Sequence, residues 1–265
     1  MIALCALPED DYFLMHKERV VKGLTLEKLL CNNTKSVVYK AKLQTDVPVI
    51  CKIYKNNASS WNNHLQEKTA LKKLQDFKVF GVLTIVGEYE SEDGEKVLCL
   101  SPICDLIRPA VKTGKRAGGK HFAQLVRTVQ KMHSAGVIHR DIKPSNLFLN
   151  PADNSIILGD MDAAVIPTHQ NQRFLWVGTE GYSCSIPVGS IFHIPLPKDD
   201  LIAVVRSVYA LLTMDTPDEN HKIGDEYWSA RMPVTSIWGR FLELAKDVKY
   251  EELAHELERL IGDFM

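Results

Sequence analysis

The eight residues His139-Arg140-Asp141-Ile142-Lys143-Pro144-Ser145-Asn146 constrain this chain more than any other stretch of it. On one side Phe122, Leu125, Val126, Val129 and Met132 recur at helical spacing, and Gly136 stops the pattern. On the other side Ser155-Ile156-Ile157-Leu158-Gly159-Asp160 reads as an apolar strand ending in a carboxylate. A carboxylate, cations and an amide are thus concentrated in a polar stretch between a helix and a pair of strands. That placement suits chemistry carried by a loop on a rigid scaffold.

The chemistry such residues suit is phosphoryl transfer, which asks a protein for positioning and charge neutralisation more than for covalent help. Asp141 can accept the proton of an attacking hydroxyl. Lys143 can offset charge on the transferred group, and Asn146 offers an uncharged oxygen to a divalent cation. Asp160 stands where a second metal ligand would be useful.

The rest of the chain supplies two unlike halves. Ser36 to Ala41 and Val47 to Tyr54 are β-branched and aromatic and predict strands. Asn62 to Gln75 predicts a helix, with Leu71 and Leu74 on one face, and Val82 to Tyr89 and Lys96 to Leu100 predict two more strands around a turn at Ser91 to Gly94. Beyond Pro102 the character becomes helical. Asp199-Asp200 precede the apolar run Leu201 to Leu212, expected as a central buried helix, and Leu253, Leu257, Leu260 and Ile261 mark a last surface helix over 251–261. The expected organisation is one domain over 1–265, with a β-rich lobe over about 1–102 and a helical lobe over about 103–265.

The eight-residue segment resembles the catalytic loop of the protein-kinase family, with the lysine two after the aspartate that marks serine/threonine-type members. Val49-Ile50-Cys51-Lys52 resembles the family's third-strand lysine motif, and Glu67 is similar to the helix glutamate that pairs with that lysine. Gly178-Thr179-Glu180-Gly181-Tyr182 resembles the end of the activation segment, and Asp200 the central-helix aspartate that holds the catalytic-loop backbone. The resemblance implies an α+β, two-lobed fold with nucleotide between the lobes. It implies Asp141 and Lys143 as catalytic and Asn146 and Asp160 as ligands of Mg2+ or Mn2+. Lys52, Glu67, Val38, Ile50 and Phe148 would form the nucleotide site, with ATP as co-substrate. His139, Arg140, Thr179 and Asp200 would be structural.

Four departures accompany the resemblance. Cys31, Asn33 and Ser36 fill the three positions of the glycine-rich phosphate loop, so close backbone approach to phosphates is lost. Asp-Phe-Gly becomes Asp160-Met161-Asp162, in which Asp162 is either a turn residue or a further metal ligand. Ala-Pro-Glu becomes Cys184-Ser185-Ile186, which removes the glutamate that ties the activation segment to a late arginine. Finally Ile50 and Phe148 add bulk to the roof and floor of the adenine slot.

Composition narrows the remaining classes. With 265 residues, 45% hydrophobic and 25% charged, the chain is that of an ordinary globular protein. A net charge of -1 gives no global field for nucleic acid or an anionic membrane. Lys112 to Lys120 holds four cations among glycines and is expected as a solvated loop. Six scattered cysteines without metal-ligand spacing predict reduced thiols. No signal peptide is evident, and Leu201 to Met214 is too short to span a bilayer and carries Arg206. The expectation is a monomeric cytoplasmic protein, with the nucleus as an alternative location. Its expected activity is ATP-dependent transfer to serine or threonine of a protein. A non-catalytic pseudokinase that binds a partner, and a small-molecule kinase suggested by Asp162, are the two alternatives.

Overall fold

Period-two burial builds the first half of the molecule. A computed structural model describes residues 20–107, 117–179, 181–183, 191–217 and 225–262. Strands β1 (Leu24–Asn32), β2 (Ser36–Leu43) and β3 (Pro48–Tyr54) are followed by helix α1 (Ala58–Asp76) and strands β4 (Thr84–Glu90) and β5 (Lys96–Ser101). The five strands form an antiparallel sheet in the order β1-β2-β3-β5-β4. On β3 the alternation separates two sets of side chains. Val49, Cys51 and Ile53 enter a small core with Val97 and Cys99. Tyr54 joins Ala70, Leu71 and Leu74 of α1 in the main core, against which Ile50 also packs. Lys52 therefore shares the face of β3 that carries Ile50 and Tyr54.

The second half is organised around helices. Strand β6 (Asp105–Leu106) leads to α2 (Gly119–Ser134), and a 3-10 turn at Pro144–Asn146 leads into β7 (Leu147–Leu149) and β8 (Ile156–Leu158). These three strands form a small sheet in the order β6-β7-β8. The short pair β9 (Phe174–Leu175) and β10 (Phe192–His193) precedes α3 (Pro197–Thr213), α4 (Asp225–Arg231), α5 (Ile237–Lys246) and α6 (Tyr250–Gly262). Phe122, Leu125, Val126, Val129 and Met132 of α2 are completely buried. At roughly 1.5–3 kcal/mol for each large apolar side chain, this one face is a major stabilising element. α6 approaches the start of α2 so closely that a Cβ on Gly119 would lie 2.6 Å from the Glu258 carbonyl oxygen. Only glycine fits there.

The two-lobed α+β architecture is as expected, and several boundaries differ from expectation for local reasons. α1 starts at Ala58 instead of Asn62 because Asn57 caps it, its side chain accepting the Ser60 N–H at 2.9 Å. α3 starts at Pro197, so Asp199 and Asp200 lie inside its first turn; Asp199 reaches back to accept the Leu196 N–H at 2.9 Å. Val82 falls outside β4 and instead bridges to Leu158, tying the large sheet's surroundings to β8. β1 was not anticipated, since bulges near Glu27 and Leu30 break its alternation. Gly119 and Lys120 belong to α2 and not to a loop, while 112–116 lie outside the described residues. So do Cys184-Ser185-Ile186 and the side chains of Leu260 and Ile261. Cys51, Cys99 and Cys104 are free thiols. No helix among the described residues is long and apolar enough to cross a membrane.

Candidate active site

The loop from His139 to Asn146 is held from beneath by α3. Asp200, in the first turn of that helix, accepts the backbone N–H groups of His139 and Arg140, each at 2.8 Å. It is almost fully buried. Burial alone would raise its pKa, but the hydrogen bond and charge of His133 outweigh that and hold it below the usual carboxylate value. His133 lies 2.8 Å from Asp200 through Nε2 and 2.7 Å from the Tyr250 hydroxyl through Nδ1, so α2, α3 and α6 meet at one polar node. Arg140 has φ of 69°, a conformation that costs a side-chain-bearing residue about 1–3 kcal/mol. Its guanidinium helps to fix it, donating to the Ala163 carbonyl at 2.7 Å and the Leu175 carbonyl at 2.9 Å. His139 spans the loop and β8, its Nε2 being 3.1 Å from the Gly159 carbonyl oxygen while Nδ1 accepts the Asp141 N–H at 3.2 Å.

On that platform Asp141, Lys143 and Thr179 form a closed triangle. Lys143 Nζ donates to Asp141 Oδ2 at 2.7 Å and to Thr179 Oγ1 at 2.6 Å, and Thr179 Oγ1 donates to Asp141 Oδ1 at 2.7 Å. Asn146 donates through Nδ2 to the Asp141 carbonyl at 2.8 Å, which turns its Oδ1 the other way. That Oδ1 is buried and has no hydrogen-bond partner among the described residues. A buried acceptor without a donor is costly unless something positive reaches it. An oxygen of this kind suits a hard divalent cation.

A second cluster closes the cleft from the side of the large sheet. Lys52 Nζ lies 2.5 Å from Glu67 Oε2 and 2.7 Å from Asp160 Oδ1, and the Tyr54 hydroxyl donates to the same Glu67 oxygen. All three charged groups are buried. Burial works against the Lys52 charge, but Asp160 and Glu67 outweigh it and push its pKa well above the lysine norm. Burial also works to raise the Asp160 pKa, yet Lys52 holds it down at about 2. Glu67 goes the other way, burial raising its pKa despite Lys52. Asp160 itself sits at φ 61° in a left-handed conformation immediately before a 3-10 turn.

Beside this second cluster runs a narrow cleft lined by Leu30, Val38, Ile50, Leu83, Leu100 and Phe148, with Lys52, Glu67 and Asp160 at its polar end. Its free volume is about 60 Å³, against roughly 300–1,000 Å³ for typical small-molecule sites. Phe148 is also packed close to the chain before Asp160. A Cβ on Gly159 would lie 3.0 Å from its ring.

Of the expected site residues, Val38, Ile50, Lys52, Glu67, Phe148 and Asp160 line this cleft, while Asp141, Lys143 and Thr179 meet on the loop that Asp200 holds. Sequence reasoning missed five others. Tyr54 could have been found by its period-two spacing from Lys52. Asn33 carries the turn chemistry of an Asx residue: its side chain accepts the N–H groups of Lys35 and Ser36, each at 2.8 Å. His133, Arg206 and Trp228 look like ordinary helix residues in sequence. Arg206 donates to the Ser183 carbonyl at 2.8 Å and the Tyr182 carbonyl at 3.3 Å, and Trp228 Nε1 donates to the Gly181 carbonyl. These contacts hold the end of the activation-like segment. Arg231, Arg240 and Arg259 instead pair with Asp215, Glu256 and Glu256 respectively.

The family model for the protein kinase domain matches residues 25–263. Over 118 residues the chain is 30% identical to the negative regulator of sexual conjugation and meiosis of Schizosaccharomyces pombe, covering 42% of this chain and 22% of that protein. Over 156 residues it is 28% identical to serine/threonine-protein kinase B of Synechocystis, covering 52% of this chain and 27% of that protein. The chain thus spans well under half the length of these relatives. Its fold is similar to a chain in the structure of the CAK complex from Chaetomium thermophilum bound to ATP-gamma-S, with a TM-score of 0.62 and 19% identity over 89% of this chain and 90% of that one.

Proposed function

The chain belongs to the protein kinase domain family, and from that premise we propose that it transfers the terminal phosphoryl group of ATP to a serine or threonine hydroxyl of a protein. The observation that carries this reading is the double engagement of Lys52, whose ammonium holds Glu67 and Asp160 at once. A chain that had abandoned nucleotide chemistry would gain stability by replacing such a buried ionic trio with apolar groups. Its retention, next to Asp141, Lys143 and Asn146, favours a working phosphotransferase.

The roles follow from placement. Asp141 orients the acceptor hydroxyl and takes its proton as the oxygen–phosphorus bond forms and the bond to the departing ADP breaks. Lys143, already 2.7 Å from Asp141, offsets charge on the transferring group. Lys52, positioned by Glu67, binds the phosphates. The Asn146 Oδ1 and the Asp160 carboxylate are oxygen donors that would hold Mg2+ or Mn2+, which neutralises phosphate charge when bound. Val38, Ile50 and Phe148 form the apolar part of the nucleotide site, while His139, Arg140, Thr179 and Asp200 keep the loop in place.

A second reading, a partner-binding pseudokinase, is favoured by the narrow cleft and by the phosphate loop that has no glycine. The two separate in one assay: purified protein is incubated with radiolabelled ATP, Mg2+ or Mn2+, and generic basic proteins or small alcohols. Label on protein serine or threonine supports the proposal. Label confined to small alcohols would move the acceptor class, and no transfer with no nucleotide binding would leave the pseudokinase.

A further inference from the structure

The turn between β1 and β2 stands where a glycine-rich loop would offer its backbone amides to phosphates, yet the amides of Asn33, Lys35 and Ser36 are already committed. Asn33 Oδ1 takes both the Lys35 and Ser36 N–H groups at 2.8 Å. The Asn33 N–H donates to the Ser36 carbonyl at 3.0 Å, and the Lys55 N–H donates to the Lys35 carbonyl at 3.0 Å. Lys55 Nζ donates to the Asn33 carbonyl, which fastens the turn to the end of β3. A turn so closed cannot present a nest of free N–H groups to an anion.

The same closure aims a side chain. Lys35, at the tip, places Nζ 3.6 Å from Asp162 Oδ2. Asp162 lies in the 3-10 turn that begins just after Asp160, so Lys35 reaches over the polar end of the cleft, where Lys52 meets Asp160. Half of the Lys35 side chain is exposed, and at 3.6 Å it is only loosely engaged, so it is free to exchange partners. Asp162, by contrast, is mostly buried.

We propose that Lys35 replaces the missing backbone amides, leaving Asp162 to contact the polyphosphate tail of the bound nucleotide with its ammonium. A point charge on a flexible stem is an established way to bind phosphate. Lys35 would then serve with Lys52 as a second phosphate-binding cation, delivered from the opposite strand pair. This inference rests on the nucleotide-binding reading above and adds a residue to it.

The test is equilibrium binding by calorimetry, with Mg-ATP, Mg-ADP and adenosine as probes, on wild type, Lys35→Ala, Lys35→Arg and Asp162→Asn. Lys35→Ala should lose about ten- to a hundredfold in Mg-ATP affinity with adenosine affinity unchanged, and Lys35→Arg should recover most of the loss. Asp162→Asn should bind Mg-ATP at least as tightly as wild type, because the competing partner of Lys35 is gone. Equal Mg-ATP affinity in wild type and Lys35→Ala would overturn the Lys35 assignment while leaving nucleotide binding intact. So would equal losses in Lys35→Ala and Asp162→Asn, which would make the ion pair a structural tie. A wild type that binds none of the three probes would overturn both this assignment and the enzymatic reading.

Discussion

Lys52 and Asp160 are 108 residues apart in the chain and 2.7 Å apart in the cleft. Together with Glu67 they enclose one positive and two negative charges away from water. Removing the cation strands two carboxylates, and losing one partner of such a buried group costs about 3–5 kcal/mol. Lys52→Met should therefore lower unfolding free energy by about that amount and also weaken phosphate binding. Urea unfolding without nucleotide isolates the stability effect; a variant as stable as wild type would mean that the trio is strain the fold tolerates.

Asp141→Asn tests the assigned base. The amide keeps the size of the carboxylate, so the loop held by Asp200 and the contact with Lys143 should survive in altered form. Transfer should fall by about 10²–10⁴-fold, since proton acceptance acts only in the transition state, while Mg-ATP affinity stays near that of wild type. Rates of single-turnover transfer alongside calorimetric binding make the comparison. Wild-type rates from the variant would remove Asp141 from the mechanism.

Much of this arrangement was legible because the informative residues are local in sequence. The loop from His139 to Asn146 is contiguous, and the period-two face of β3 puts Ile50 and Lys52 together without any tertiary knowledge. The strands around Val38 and Cys99 were equally plain from their β-branched and apolar runs. What escaped were relationships made by docking. His133 becomes part of the site only because α2 packs beside α3 and α6, and Arg206 only because α3 passes beneath Ser183. The start of α1 was misplaced for a different reason: its cap is a hydrogen bond that the Asn57 side chain accepts from the Ser60 N–H, which hydrophobic periodicity does not register.

Asp162 carries a pH signature. Burial, and then the neighbouring Asp160 charge, raise its pKa in the folded protein. A carboxyl whose folded pKa exceeds the unfolded value binds its proton more tightly when folded. It therefore favours folding below the unfolded pKa, and that contribution is lost as pH rises through the folded pKa. At neutral pH the wild type bears the cost of the charge, which Asp162→Asn removes. The variant should be the more stable at pH 7, with the difference shrinking toward pH of about 4. Thermal melts across this window check it; a gain independent of pH would assign the effect to packing.

Arg206 contacts the end of the activation-like segment. Its guanidinium holds the carbonyls of Tyr182 and Ser183, and the guanidinium carbon sits 5.5 Å from the centre of the Trp228 ring. Arg206→Met would leave those carbonyls without this donor and should raise KM for a protein acceptor with little change in Mg-ATP affinity. It should also cost about 1–3 kcal/mol of stability through the unpaired groups. Steady-state kinetics with separate titrations of the two substrates distinguish this role from general destabilisation, which would weaken both.

Whether the cleft admits a purine is tested at Ile50 and Phe148. Both line it, Phe148 being nearly buried against Gly159 and Ile50 packing at the edge of the main core. The free volume of about 60 Å³ leaves little space between roof and floor unless the walls move. Ile50→Ala removes the branch that shares a strand face with Lys52, so it should enlarge the slot and tighten Mg-ATP binding. The same truncation removes buried apolar surface, with a stability loss of up to about 2–5 kcal/mol for a fully buried site and less here, where Ile50 is only partly buried. Melting temperature therefore mixes two opposed effects, and the dissociation constant from calorimetry at a temperature where both proteins are folded is the quantity to compare. A tighter constant for the variant identifies the slot as the limit on nucleotide entry. Micromolar binding by wild type with no change in Ile50→Ala would show that the lobes separate enough to admit the base, and the narrow cleft would no longer count in favour of a non-catalytic module.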